Sequence, residues 1–231
     1  MNLCVIPARG GSKRIHRKNI KQFCGKPLIV WSIEKAIESG CFDKIIVSTD
    51  DIEIANIAKN YGAEVPFIRP KELSDDYTST NEVISHAIKF QIKNSKRPSI
   101  VCCIYPTAPF VQTKDLKHGL EILKTNGVDY VFSVTTFAYP IQRSFRMTKD
   151  QKIEMFWPEF LYSRSQDLEE AWHDAGQFYW GITDSWLENK PIISKNAKPI
   201  HLPRYRVQDI DTYEDWERAE WIFKVINKQK I

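Results

Sequence analysis

The sequence predicts an α/β fold, in which one mostly parallel sheet carries helices on both of its faces. Short β-branched runs alternate along the chain with amphipathic stretches, an order typical of such sheets. Residues that start or stop helices stand at the ends of the amphipathic stretches. The length of 231 residues and the 42% hydrophobic share suit a single core. We therefore expect one domain over residues 1–231.

The first half of the chain contains three predicted strands and two predicted helices. Pro27 suits the first turn of a helix, whereas Gly40 and Gly62 stand just past helix ends. The expected order is a strand over 3–6, a helix over 27–39, a strand over 44–48, a helix over 51–61 and a shorter strand over 64–68.

The second half continues the alternation. Ser79 and Glu82 have the spacing of a capping box, and Thr212 caps the last helix with the help of Asp215. The expected order is a helix over 80–93, a strand over 99–105, a helix over 113–126, strands over 130–135 and 176–182, and a final helix after Thr212. Together these elements predict a Rossmann-like sheet.

Residues 136–160 interrupt this pattern. The segment has no clear period and is rich in aromatic residues and arginine. We interpret it as an inserted arm, in the form of a strand pair that packs on a second subunit. A surface loop is the alternative.

The composition limits the classes of protein that fit. Five cysteines form no C-x-x-C pair and no metal-ligand spacing, as is typical of reduced thiols in a cytosol. No apolar run has the length of a signal peptide or a membrane span, so we expect a cytoplasmic protein without a membrane partner. The net charge is only +4, but six basic residues crowd positions 13–26. That crowding indicates a local anionic ligand.

A basic glycine loop follows the first predicted strand. Residues 6–14 are Ile-Pro-Ala-Arg-Gly-Gly-Ser-Lys-Arg, and Lys-Asn follows at 18–19. Open α/β sheets bind ligands at the carboxyl ends of their strands, and Gly10 and Gly11 allow backbone N–H groups to approach an anion. Arg9, Lys13 and Lys18 supply positive charge for a triphosphate. The loop matches neither Walker A nor G-x-G-x-x-G. A solvated loop or a nucleic-acid patch is the alternative, but the position between strand and helix favours phosphate.

Two carboxylates near the carboxyl terminus suit a metal ion. In an extended strand Asp209 and Asp211 would share one face, while Ile210 would point to the other. Paired carboxylates beside a triphosphate are typical ligands of Mg²⁺. A solvated acidic pair before a helix is the alternative.

Five motifs in this order resemble the CMP-sugar synthetases, the cytidylyltransferases that activate sialic acid and its relatives. The similarity covers residues 3–216 and rests on the loop at 6–14, Val-Ser-Thr-Asp at 47–50, Arg-Pro-Lys-Glu-Leu at 69–73 with the Ser/Thr run after it, Pro-Thr-Ala-Pro at 106–109 and Asp-Ile-Asp-Thr at 209–212. The resemblance implies a fold of the nucleotide-diphospho-sugar transferase type that dimerises through an inserted arm. It also implies Mg²⁺-dependent transfer of CMP from CTP to the anomeric 2-hydroxyl of an acidic sugar, with release of pyrophosphate.

The resemblance also implies the site residues. Catalytic roles fall to Arg9, Lys18 and Asp211, and the metal would lie on Asp209 and Asp211. The implied CTP site comprises Ala8, Arg9, Gly10, Gly11, Ser12, Lys13, Lys18, Asn19, Arg69, Ser79, Thr80 and Tyr105. The implied sugar site comprises Tyr105, Thr107, Gln142, Arg143, His173, Asp174, Gln177 and Tyr179. If Gln177 and Tyr179 share one face of a strand, both line the sugar pocket while Phe178 packs into the core.

Three departures from the sialic acid enzymes concern the sugar. Tyr105 stands where those enzymes usually carry Gln, Gln142 takes the place of a Lys near the phosphates, and residues 173–179 lack the Arg that faces the sugar. These variants resemble the pseudaminic acid cytidylyltransferases, which implies pseudaminic acid as the acceptor and a role in glycan or flagellin glycosylation. Legionaminic acid and N-acetylneuraminic acid are the alternatives within this class.

Other classes of protein fit less well. A glycosyltransferase also combines an α/β sheet with Asp-x-Asp, but here that motif lies near the carboxyl terminus rather than in the middle of the chain. A catalytically silent nucleotide-binding protein is disfavoured because Arg9, Lys18, Asp209 and Asp211 are all present. The positive charge is confined to one loop, so we expect no nucleic-acid partner. The expected partners are CTP, a small acidic sugar and a second copy of the chain.

Overall fold

The fold is described from a computed structural model, and the description covers residues 1–228. It contains ten strands: β1 (Asn2–Pro7), β2 (Gln22–Phe23), β3 (Lys26–Pro27), β4 (Lys44–Ser48), β5 (Ile100–Ile104), β6 (Tyr130–Thr136), β7 (Phe145–Met147), β8 (Ile153–Met155), β9 (Trp172–Ile182) and β10 (Ala197–His201). Its six helices are α1 (Leu28–Ser39), α2 (Ile52–Asn60), α3 (Thr80–Asn94), α4 (Thr113–Leu123), α5 (Thr183–Leu187) and α6 (Tyr213–Lys228).

Six of the strands form one central sheet in the order β10-β6-β9-β5-β1-β4. β1 runs parallel to β4 and to β5, and β10 runs parallel to β6. β9 is antiparallel to both of its neighbours, β5 and β6. The predicted mostly parallel sheet is thus confirmed, with one reversed strand inside it.

Two apolar clusters fill the two faces of the sheet. On one face, α1 and α4 pack Ile29, Ile33 and Leu116 against side chains such as Trp180. On the other face, α3 and α5 bury residues that include Ile84. The predicted capping box at the start of α3 is present, because Ser79 and Glu82 exchange hydrogen bonds with each other's backbone N–H groups. Helices on both faces are therefore confirmed.

A third cluster lies beneath the basic loop. Ile15 from the loop and Ile210 from the Asp-Ile-Asp motif are both buried in it. Side chains from β2 and α6 complete the cluster, including Phe23 and Trp216, whose rings meet edge to face at 5.4 Å. Two segments from opposite ends of the chain are thus fixed on one apolar support.

One expected strand was wrong, and other elements were not expected. Residues 64–68 form no strand, and only the isolated bridges Ile46–Glu64 and Thr49–Ile68 join them to the sheet. Pro66 lies between these bridges and has no N–H to continue a ladder. The edge strand β10 and the short helix α5 were not expected at all. β10 is a short run that contains Pro199, a residue that only an edge strand tolerates well.

Residues 137–171 leave the central sheet at the end of β6 and return at the start of β9. Within this arm, β7 and β8 pair as an antiparallel hairpin, which confirms the expected strand pair. The arm extends past the predicted end at residue 160. It exposes many large apolar side chains, among them Tyr139, Phe145, Met147, Ile153, Phe156 and Tyr162. Across residues 1–228, no helix combines the length and apolar character needed to cross a bilayer.

Candidate active site

The main cavity opens at the carboxyl edge of the sheet, between the loops that follow β1 and β5. β1 pairs with β4 on one side and with β5 on the other, so connections leave it in opposite directions at this point. Crevices at such switch points are the usual ligand sites of open α/β sheets. The cavity measures about 450 Å³, and the segment around α3's first turn closes its third side.

A carboxylate at the end of β4 fixes the backbone of the glycine loop. Asp50 accepts a hydrogen bond from the Gly10 N–H at 3.0 Å, and the Arg69 guanidinium lies 3.9 Å from the same carboxylate. A Cβ on Gly10 would come within 2.7 Å of the Asp51 carboxylate. Burial lowers the pKa of Arg69, while Asp50 opposes that shift. Gly10 is thus required for close approach to the end of β4, and its N–H already has a partner.

The cations at the outer edge of this cavity pair with an acidic turn. The Arg9 guanidinium lies 2.8 Å from the Asp76 carboxylate and donates to the Asp75 carbonyl oxygen at 2.5 Å. Lys13 contacts the same Asp76 carboxylate. Asp75 in turn accepts the backbone N–H groups of Tyr77 and Thr78. The turn therefore presents one carboxylate to two cations that could otherwise bind phosphate.

The cations at the inner edge pair with the Asp-Ile-Asp motif. Arg14 lies 2.6 Å from one oxygen of Asp211, and Lys18 lies 3.3 Å from the other. The Lys18 ammonium also donates to the Ile210 carbonyl oxygen at 2.5 Å. Lys18 thus connects the basic loop directly to the second acidic motif.

Asp209 and Asp211 lie in an irregular segment before α6, so their predicted strand geometry was wrong. The two aspartates and Ile210 nevertheless point in different directions, as expected. Ile210 is 1% exposed, while both carboxylates reach the surface. Desolvation, followed by repulsion from Asp211, raises the pKa of Asp209. Two carboxylates that repel each other favour a cation between them. Within residues 1–228, no group of three or more potential ligands surrounds them. They fit a Mg²⁺ that takes its remaining ligands from phosphate and water.

Tyr105 separates the main cavity from a second one and lines both. Its hydroxyl lies 2.9 Å from the Thr80 hydroxyl, and its carbonyl oxygen accepts a hydrogen bond from Ser32 at 2.8 Å. Burial raises the pKa of Tyr105, so its hydroxyl stays protonated. Thr107 also lines both cavities. Ligands in the two cavities would therefore meet at these two side chains.

The second cavity, of about 650 Å³, lies beside the first residues of β9. The Tyr179 hydroxyl donates to Asp174 at 2.6 Å, and the Gly176 N–H donates to the other oxygen of Asp174 at 2.8 Å. Burial, followed by the proximity of Tyr105 and Asp174, raises the pKa of Tyr179. His173 and Asp209 also line this cavity. Its walls combine aromatic and polar groups, as is usual for a small-molecule site.

A family model described as cytidylyltransferase matches residues 3–216. The chain belongs to the cytidylyltransferase family. A pseudaminic acid cytidylyltransferase of Campylobacter jejuni is 47% identical over 97% of this chain and 97% of its own length. A CMP-N,N'-diacetyllegionaminic acid synthase of Legionella pneumophila is 34% identical over 96% of each chain. This cytidylyltransferase is accordingly a nucleotidyltransferase.

The fold of this cytidylyltransferase recurs in solved structures. A CMP:2-keto-3-deoxy-manno-octonic acid synthetase in complex with CTP superposes with a TM-score of 0.69 at 16% identity and covers 100% of this chain and 99% of that one. At this identity the likeness concerns the fold alone. It agrees with the predicted sheet of the nucleotidyltransferase type.

Most of the residues predicted to bind CTP lie around the main cavity of this cytidylyltransferase. Arg9, Ser12, Lys13, Lys18, Asn19, Arg69, Thr80 and Tyr105 line it. Ala8 instead packs fully buried in the core, and the Ser79 hydroxyl caps α3 rather than facing the cavity. Gly10 and Gly11 are not among the lining residues either. Asp50 and Asp76 were missed, since nothing in the local sequence indicates their partners on the glycine loop.

Three of the residues predicted to bind the sugar lie outside the second cavity. Gln177 is 3% exposed and donates from its amide to the Arg206 carbonyl oxygen at 2.6 Å. Its neighbour Gly176 has a φ of +61°, and the pairing register shifts beside it, so the strict alternation along β9 is broken there. Gln142 and Arg143 lie on the arm, where Gln142 donates to the Glu169 carbonyl oxygen at 2.9 Å. By contrast, Tyr105, Thr107, His173, Asp174 and Tyr179 all line the cavity, while Phe178 is buried in the core as expected.

Proposed function

We propose that this cytidylyltransferase transfers CMP from CTP to pseudaminic acid and releases pyrophosphate. The observation that carries the proposal is the meeting of two cavities at Tyr105 and Thr107. One cavity is rich in cations and suits a triphosphate, whereas the other is polar and aromatic and suits a sugar. The relative with 47% identity, a pseudaminic acid cytidylyltransferase, supports the same pair of substrates.

The triphosphate of CTP would lie along the cations of the basic loop. Arg9 and Lys13 stand at the outer edge of the main cavity, and Lys18 stands beside Asp211 at its inner edge. The cytosine would lie toward the first turn of α3, where Thr80 and Tyr105 share a hydrogen bond. This orientation would bring the α-phosphate toward the second cavity.

Asp209 and Asp211 would hold Mg²⁺, which supplies charge neutralisation on the phosphate when bound. The chain's own residues would position the reactants around it. Lys18 and Arg14 hold Asp211 from the loop side, and the buried Ile210 fixes the motif from below. Asp211 would therefore be held in position before the substrates bind.

The chemical step would be one in-line displacement. The anomeric 2-hydroxyl of the sugar loses its proton and attacks the α-phosphorus, while the bond to the bridging oxygen of pyrophosphate breaks. Positioning and electrostatic stabilisation supply the catalysis in such a transfer. No covalent intermediate with the protein is required. We place the reaction in the cytoplasm, where free cysteines like the five of this chain stay reduced.

The decisive experiment is a pyrophosphate-release assay with purified protein, Mg²⁺ and CTP. Pseudaminic, legionaminic and N-acetylneuraminic acid are compared as acceptors at saturating CTP. We expect the highest kcat/KM for pseudaminic acid. A higher value for either other acid would overturn the choice of acceptor and leave the cytidylyltransferase reaction standing.

Two controls address the nucleotide and the class of protein. ATP, GTP and UTP replace CTP in the same assay, and equal turnover with all four would contradict CTP as the donor. In a melting experiment, CTP with Mg²⁺ should raise the Tm, because a ligand that binds only the native state stabilises it. Duplex DNA should leave the Tm unchanged. Binding of CTP without turnover of any acid would favour a catalytically silent nucleotide-binding protein.

We also propose that the protein is a homodimer joined through the arm of residues 137–171. The arm exposes more apolar side chains than a surface hairpin needs, among them Phe145, Met147, Ile153 and Phe156. A dimer would bring Arg143 of the arm near the neighbouring active site. Sedimentation at micromolar concentration should give a dimer, and Phe156→Glu should shift it toward monomer. A wild-type monomer would remove the proposal.

A further inference from the structure

Two arginines that are not among the predicted site residues, Arg204 and Arg218, line the second cavity. Arg204 lies in the turn after β10, and Arg218 lies on α6. Within residues 1–228, neither guanidinium has a carboxylate within 4.0 Å. The Arg204 guanidinium donates a hydrogen bond to the Phe137 carbonyl oxygen at 3.3 Å. The cavity thus holds two guanidinium groups without an ionic partner.

Arg206, in the same turn as Arg204, does have an ionic partner. Arg206, two residues after Arg204, is buried and lies 2.6 Å from the Asp115 carboxylate. That ion pair is almost completely buried in the interior of the protein. Arg204, in the same turn, is exposed to the cavity instead. Within this turn, Arg206 therefore forms a buried ion pair, whereas Arg204 lines the cavity.

Among the described residues, the acidic side chains around the cavity form their hydrogen bonds with other groups and make no ion pair with these arginines. Asp174 is occupied on both oxygens, by the Tyr179 hydroxyl and the Gly176 N–H. Asp215 lies near Arg218, but its carboxylate accepts hydrogen bonds from Thr212 and from the Asp211 N–H. The remaining acid, Asp209, belongs to the proposed metal pair. In the described part of the chain, the two guanidinium groups therefore remain free to form ion pairs with an anionic ligand.

We infer that Arg204 and Arg218 bind the carboxylate of the acidic sugar. A carboxylate that leaves water for a cavity needs a charged partner, and the planar guanidinium matches its two oxygens. The inference rests on the proposed function, because it takes the second cavity as the acceptor site.

The position of the pair would also orient the acceptor. In a sugar acid of this class the carboxylate and the attacking hydroxyl are attached to the same carbon atom. Gln208 and Asp209 line the cavity together with Arg218, and Tyr105 and Thr107 lead from it to the main cavity. A carboxylate held by the arginines would thus place the hydroxyl at the junction of the two cavities. The pair would act in positioning as well as in affinity.

The test uses the variants Arg204→Gln, Arg218→Gln and the double variant. We expect each single change to raise KM for the acidic sugar by about tenfold or more, the range for a hydrogen bond to a charged group, with KM for CTP unchanged. Arg204→Lys and Arg218→Lys should recover part of the loss. Arg97→Gln is the matched control, because Arg97 is an exposed arginine that pairs with Asp184 away from both cavities.

An analogue in which the carboxylate is a carboxamide makes the test specific. Calorimetry with wild type should show that the acid binds about tenfold or more tightly than the amide, and the double variant should lose this preference. The same measurement is made with all three nonulosonic acids, so it reports on the arginines even if pseudaminic acid is not the preferred acceptor. An undiminished preference for the acid in the double variant, or no binding of any acid to wild type, would overturn the inference. Turnover of another acid with the expected arginine dependence would overturn only the choice of acceptor.

Discussion

The Asp76 carboxylate lies 2.8 Å from the Arg9 guanidinium and also contacts the Lys13 ammonium. A hydrogen bond from Lys13 and the charge of Arg9 hold the pKa of Asp76 below its ordinary value. Asp76 is therefore ionised at neutral pH. This carboxylate contacts the two cations that the proposed function assigns to the triphosphate.

Asp76→Asn should therefore strengthen the binding of CTP. The nucleotide would no longer compete with a carboxylate for Arg9 and Lys13. Exposed ion pairs contribute little because solvent screens them, so Kd should fall by no more than about fivefold. Calorimetry with CTP measures the change, and Asp184→Asn, which removes an exposed carboxylate paired with Arg97, is the control. Weaker binding by Asp76→Asn would show that this carboxylate assists the nucleotide instead.

Asp211→Ala should abolish turnover and leave the fold intact. Its carboxylate contacts Arg14 and Lys18 and is the proposed ligand of Mg²⁺, whereas the apolar support of the motif comes from Ile210. Asp209→Ala should impair turnover less. Pyrophosphate release over a Mg²⁺ titration, with circular dichroism as the check on folding, gives the answer. Full activity of Asp211→Ala at limiting Mg²⁺ would refute its assignment as a ligand.

Tyr179→Phe should impair the use of the sugar and spare the use of CTP. The change removes the hydroxyl that donates to Asp174 and leaves a carboxylate in the second cavity without that partner. Loss of such a bond costs about 1–3 kcal/mol, which predicts a five- to hundredfold higher KM for the sugar. Steady-state kinetics with each substrate varied in turn separate the two KM values.

Tyr130→Phe is the matched control for that experiment. The Tyr130 hydroxyl is buried and has no hydrogen-bond partner among residues 1–228. Its removal should leave both KM values unchanged. Equal effects of Tyr130→Phe and Tyr179→Phe would mean that packing, and not the Asp174 contact, governs the sugar.

Asp51→Ala should destabilise the protein by about 1 kcal/mol, the usual contribution of an N-cap side chain. Asp51 accepts the N–H groups of Glu53 and Ile54 at the start of α2 and lies 3.0 Å from Arg17. Burial alone would raise the pKa of Asp51, but the hydrogen bonds from Arg17 and the helix lower it below its ordinary value. The stabilisation is thus present at neutral pH and is lost as pH falls through the pKa of the folded state.

Urea denaturation of wild type and Asp51→Ala between pH 7 and pH 3 tests the sign of this effect. The difference in free energy of unfolding should be largest near neutral pH and shrink below about pH 4. A difference that grows toward low pH would contradict the assigned shift.

The parts of the fold that were predicted correctly have local causes. β1 and β5 are apolar runs, and Ser79 and Glu82 mark the start of α3 within four residues of sequence. Such signals need no knowledge of distant contacts. The position of the basic loop after β1 was likewise predicted from local signals, whereas its binding of phosphate stays a prediction.

The parts that were missed depend on contacts between distant segments. Asp50 meets Gly10 across 40 residues of sequence, and no local pattern indicates that contact. Gln177 was expected to face the sugar because a strand alternates its side chains, but the positive φ of Gly176 breaks that alternation. Arg204 and Arg206 have identical side chains two residues apart, and only the fold separates the ionic partner of one from the open cavity of the other.

The reversed direction of β9 has a consequence for how this family can change its acceptor. Because β9 runs against β5 and β6, its first residues, including His173 and Asp174, lie at the same edge as the last residues of its neighbours. The main cavity lies at the ends of the parallel strands β1 and β5, whereas the second cavity also takes in the beginning of β9. Under the proposed function, mutations at the beginning of β9 would alter which sugar is accepted, while β1 and its loop would keep the nucleotide. On that assignment, acceptor choice would diversify over evolutionary time under a separate selective pressure from donor binding.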